Sequence, residues 1–97
     1  MDLRELRLQI DNIDGELLRL FEQRMDVCAE IAKYKKRNGI PIYDPNREKQ
    51  KLADLTHKVK KGREAHVSAV FTLLFEISRA EQEAIISKNE EGTQAKT

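Results

Sequence analysis

The chain has 97 residues, the size of one small domain, and its charged residues, 36% of the total, nearly cancel to a net charge of +1. That balance argues against a nucleic-acid binder, which carries a basic excess, and gives no general attraction to an anionic membrane. The single cysteine, Cys28, leaves no internal disulfide framework and suits a reducing, cytoplasmic setting. No segment reads as a signal peptide, and no apolar run reaches the ~20 residues that span a bilayer. A chain this short buries little core alone, and oligomerisation is the common remedy.

The first helix is expected from near Asp2 to about Arg37. Apolar residues alternate at spacings of three and four through Leu3, Leu6, Ile10, Ile13, Leu17 and Leu20. The seam then meets Arg24 and resumes with Val27, Ile31 and Tyr34. A second stripe (Leu18, Phe21, Met25, Cys28, Ala32) widens the apolar face. About 35 residues at 1.5 Å each give a rod of ~50 Å, longer than a domain of this size is wide. Its projecting half needs a partner, so the spacing predicts a homodimer built on paired long helices.

Asn38-Gly39 is a helix stop, and Ile40-Pro41-Ile42-Tyr43 reads as a short extended loop. Asp44-Pro45 opens a second helix, with an N-cap acceptor followed by proline at the first helical position. It is expected to reach about Lys60, with a thin stripe of Leu52, Leu55 and Val59, and Gly62 ends it. A third helix is expected from Arg63 or Glu64 to Ser87, with the stripe Val67, Phe71, Leu74, Ser78, Gln82, Ile85. The domain is thus assigned to residues 1–88, with a disordered polar tail over 89–97. The fold class is all-α.

Polar residues in apolar places are the candidate site. Arg24 cannot shed its charge and must find an anion or reach water. Lys35 lies about three turns further along the same face, ~16 Å away, a span that suits the two ends of a small anion. The alternative is that both snorkel, their stems packed and their heads wet. Ser78 and Gln82 sit one above the other on the third helix, either for a ligand or for a structural bond to a neighbouring helix. Asp44 is explained by helix capping. Glu48 faces inward, or else offsets the helix dipole, whereas Arg47 is a cation at a positive helix end, which capping does not explain. Arg7 lies ~25 Å before Arg24 and either is an ordinary exposed arginine or serves the site of a second, antiparallel chain. His57 and His66 share no ligand spacing with each other or with Cys28, so no metal is expected. No phosphate-binding glycine motif or nucleophile triad is present.

Together, Leu6-Arg7, Ile13-Asp14, Arg24, Lys35, Asp44 with Arg47-Glu48, and Ser78 with Gln82 resemble the all-helical (AroQ-type) chorismate mutase family over about Leu3 to Ile86. The resemblance implies an intertwined homodimer of three-helix chains. It implies rearrangement of the small-molecule substrate chorismate to prephenate, on the route to phenylalanine and tyrosine, with no cofactor. It assigns Arg24, and Arg7 from the other chain, to one carboxylate, and Arg47 to the other end. Ser78 adds a hydrogen bond to a carboxylate. Glu48 accepts from the ring hydroxyl, and Asp44 shapes the loop around it. Lys35 and Gln82 flank the ether oxygen, which with Arg24 makes them the catalytic set. The alternatives are a non-catalytic dimerisation or regulatory domain of a larger aromatic-pathway enzyme, or an isochorismate pyruvate lyase on the same fold.

Overall fold

The computed structural model describes the backbone of residues 1–95 and the side chains of residues 1–88. Three helices follow one another: α1 (Leu3–Arg37), α2 (Pro45–Lys58) and α3 (Glu64–Ala95). No described helix is long and apolar enough to cross a membrane.

Each boundary has a local cause. Asp2 caps α1, its carboxylate accepting from the Glu5 amide at 2.9 Å. At the other end Asn38 is the C-cap, and Gly39 takes the left-handed conformation, φ 63°. The Gly39 amide donates to Lys36 O at 3.4 Å and the Ile40 amide to Lys35 O at 2.9 Å, a Schellman motif that closes the last turn. Asp44 caps α2 by accepting from the Arg47 amide at 3.0 Å, with Pro45 at the first helical position.

The second and third helices end differently from the sequence expectation. α2 stops at Lys58 rather than Lys60, because Val59 turns extended (φ −76°, ψ 156°) ahead of the turn at Gly62. The backbone of α3 runs past Ser87 to Ala95. Lys88, Glu90 and Glu91 are good helix formers, and no proline interrupts them. Of the tail assigned to residues 89–97, the side chains and the last two residues lie outside the described residues.

α3 packs on both other helices. Among the described residues only four side chains are buried: Cys28 and Ala32 of α1, Phe75 and Gln82 of α3. Ala32, with no exposed surface, lets the two backbones approach. Phe71 supports Phe75 edge-on, ring centroids 6.4 Å apart.

The body measures 63 × 30 × 15 Å, with a radius of gyration of 17.7 Å. A compact chain of this length has a radius of about 13 Å. Its accessible surface is 8077 Å², against about 5,700 Å² for a compact monomer of this mass. Apolar side chains contribute to this exposed surface. Leu3, Leu6, Ile10, Ile13, Leu17 and Leu20 are 44–59% exposed along one side of α1.

Ala32 has no room for a larger side chain. Ala32→Leu is expected to destabilise the chain by about 1–3 kcal/mol. A urea midpoint unchanged by that substitution would show the α1–α3 contact to be loose.

Candidate active site

The side of α1 that faces α3 also faces the first turn of α2, and between the three helices lies a cleft of about 530 Å³. α1 contributes Arg24, Cys28, Ile31 and Lys35 to its wall, and the loop adds Ile42. The start of α2 contributes Asp44, Arg47, Glu48 and Lys51, and α3 contributes Phe75, Ser78, Arg79 and Gln82. Seven of the eight residues singled out in the sequence therefore meet in one place. The eighth, Arg7, is exposed on the projecting half of α1 and does not line the cleft.

Arg24 is half-buried. Among the described residues no carboxylate pairs with it; its polar neighbour is the Cys28 thiol at 3.9 Å, a weak acceptor. Lys35 donates to the Ile42 carbonyl at 2.7 Å, which leaves two of its three N–H groups for other acceptors. That bond also ties the end of α1 to the loop entering α2.

The floor of the cleft is a hydrogen-bonded chain. Cys28 Sγ and Ser78 Oγ are 2.8 Å apart, and Gln82 Nε2 donates to Ser78 Oγ at 3.2 Å. Gln82 Oε1 is buried, with no partner among the described residues. A buried amide oxygen without a partner is costly, so this side chain has hydrogen-bonding capacity that the protein itself leaves unspent.

The opposite wall is held by Arg79. One of its terminal nitrogens bridges both carboxylate oxygens of Glu48, and its guanidinium lies over the Tyr43 ring, 4.7 Å from the centroid. The hydrogen bond to Glu48, more than any other influence, pushes the Arg79 pKa above the usual arginine value, so it stays charged at any physiological pH. Five cationic side chains thus face two carboxylates across the cleft. Such a cavity favours an anion carrying more than one negative charge.

The model of the family described as chorismate mutase type II matches residues 6–83 of this chain. The chain belongs to that family. A chorismate mutase from Methanocaldococcus jannaschii is 32% identical over 91 residues, which cover 91% of each chain. A T-protein from Haemophilus influenzae is 37% identical over 67 residues, 69% of this chain but 17% of that protein. The chain therefore spans less than a fifth of that relative's length. Among solved structures, the crystal structure of chorismate mutase from Helicobacter pylori in complex with prephenate superposes with a TM-score of 0.79. It is 34% identical and the match covers 88% of this chain and 93% of that one.

Two cleft residues of this type II chain escaped the sequence reading. Arg79 looks like a surface arginine in isolation. Helical spacing held the signal, since Arg79 follows Phe75 by four residues and precedes Gln82 by three, which puts it on the buried face. Lys51 likewise lies one turn beyond Arg47. The ion pair with Glu48 spans 31 positions and had no sequence signal.

Proposed function

We propose that the chain is a chorismate mutase, converting chorismate to prephenate as a homodimer in the cytoplasm. The observation that carries this reading is the cleft. Arg24 is half-buried there with no acidic partner among the described residues, amid an excess of positive charge, and chorismate is a dicarboxylate. A chain serving only for dimerisation would have no reason to gather these groups.

The reaction is unimolecular. The ether C–O bond breaks as a C–C bond forms, and no proton or covalent enzyme intermediate is involved. The protein's means are therefore positioning and electrostatics. Arg24, with the partner's Arg7, holds one carboxylate, and Arg47 grips the other end; guanidinium pairs fix orientation as well as charge. Ser78 adds a hydrogen bond to a carboxylate. Lys35 and Gln82 flank the ether oxygen, which gains negative charge as its bond breaks, so donors there favour the transition state over the ground state. Glu48 accepts from the ring hydroxyl. Asp44, whose carboxylate caps α2, shapes the turn that brings Arg47 and Glu48 to the cleft.

A dimer is supported by the exposed side of α1. Leu3 to Leu20 carry an apolar stripe that nothing among the described residues covers. The surface in excess of a compact monomer, roughly 2,300 Å², is of the order that obligate interfaces bury. An antiparallel pairing of two α1 helices covers the stripe and carries Arg7 to the neighbouring cleft.

Purified chain with chorismate should yield prephenate; no prephenate from chorismate but pyruvate released from isochorismate would indicate the lyase. Arg24→Ala and Lys35→Ala should each remain dimeric and lose about a hundredfold or more in turnover. Wild-type rates in both would refute the site. Gln82 donates at any pH, so wild-type activity should be flat from about pH 5 to 8. In Gln82→Glu only the protonated acid can donate, so its turnover should fall as pH rises through the carboxyl pKa. A mixture of inactive Arg7→Ala and Arg24→Ala chains should regain about a quarter of wild-type activity. Half the dimers formed at random are mixed, and each has one intact site. No regain after subunit exchange would rule out a shared site.

A further inference from the structure

The cleft has two carboxylates, and they are used differently. Asp44 spends an oxygen on the Arg47 amide, 3.0 Å away, as a helix cap. Among the described residues Glu48 is held by Arg79, through one nitrogen shared between both carboxylate oxygens. A carboxylate offers about four acceptor positions, so Glu48 keeps the capacity to accept another hydrogen bond. Its charge, however, is already balanced. The two side chains are about three-quarters buried, 28% and 24% exposed for Arg79 and Glu48, so solvent does little to screen that balance.

We propose that Arg79 makes this site selective for a ring hydroxyl over a ring amine. The inference rests on the mutase reading above, in which Glu48 meets the ring substituent. A neutral hydroxyl needs only an acceptor, and Glu48 supplies one with Arg79 in place. An amine at the same ring carbon is an ammonium at neutral pH. It would meet a carboxylate already neutralised by a guanidinium, with Arg47 and Lys51 on the same wall adding like charge. Discrimination by an unfavourable charge contact is the general way to separate two substrates of nearly equal shape.

Tyr43 makes the arrangement durable. Its ring lies beneath the Arg79 guanidinium, 4.7 Å from Cζ to the centroid, so the cation is held by an aromatic face as well as by a carboxylate. Arg79 acts through Glu48 and is a positioning and selectivity residue.

The test compares kcat/KM for chorismate and for 4-amino-4-deoxychorismate on the same protein preparation, so that the ratio is independent of the folded fraction. Wild-type protein should prefer chorismate. Arg79→Met removes the cation hydrogen-bonded to Glu48 and should shift the ratio toward the amine by about tenfold or more. Arg79→Lys restores a cation and should hold the ratio within about threefold of wild type. Adding Glu48→Gln to Arg79→Met should abolish the amine turnover gained. The proposal is overturned if wild type converts chorismate and Arg79→Met leaves the ratio unchanged, or if Arg79→Lys shifts it as far as Arg79→Met. Failure of wild type to convert chorismate at all would instead reject the mutase reading, and this inference with it.

Discussion

The contact between α1 and α3 is a narrow strip, and the rest of the molecule is arranged around it. Ala32 admits the close approach, Cys28 and Phe75 fill it, and Gln82 brings an amide into it. An apolar residue in place of Gln82 would serve packing as well. The amide instead obliges Ser78 and Cys28 to supply partners, at 3.2 and 2.8 Å along the chain of contacts. The same side chains that join the helices therefore form the floor of the cleft. A substitution there acts on stability and on the site at once.

α2 is placed by a different kind of link. It packs on α3, and its first turn is brought to the cleft by polar ties. The Schellman turn at Gly39 redirects the chain, Lys35 holds the loop through Ile42 O, and Arg79 clamps Glu48 while lying over the Tyr43 ring. Each tie pairs a residue of the cleft wall with the loop or with the start of α2. The cations needed for an anionic guest thus also set the geometry of the wall that carries them.

Much of this was legible in the sequence because helices announce themselves locally. The three-four spacing gave α1, Asn38-Gly39 its end, and Asp44-Pro45 the start of α2. Interruptions in apolar stripes pointed to Arg24, Lys35, Ser78 and Gln82, since a polar group at a buried phase must have a reason. Arg79 was hidden because it interrupts nothing: Phe75 and Gln82 complete the stripe without it. Its role is defined by Glu48, 31 positions away, and by Tyr43 in a loop. Pairings of that range follow from how the helices dock, which no local pattern states. The extent of α3 beyond Ser87 was also missed, because loss of apolar periodicity was read as loss of helix. The backbone of α3 nevertheless stays helical through that polar stretch to Ala95.

The smallest dimension of the body, 15 Å, is little more than the thickness of a single helix with its side chains. Water therefore reaches almost every residue of the separated chain. The heat-capacity rise on unfolding scales with the apolar area newly hydrated; the separated chain gains about 8,300 Å² of surface on unfolding, where a compact monomer of this mass gains about 10,700 Å². A lone chain would therefore melt with an increment about a fifth below the ~12–15 cal/mol/K per residue of ordinary domains, and its stability curve would be somewhat flatter.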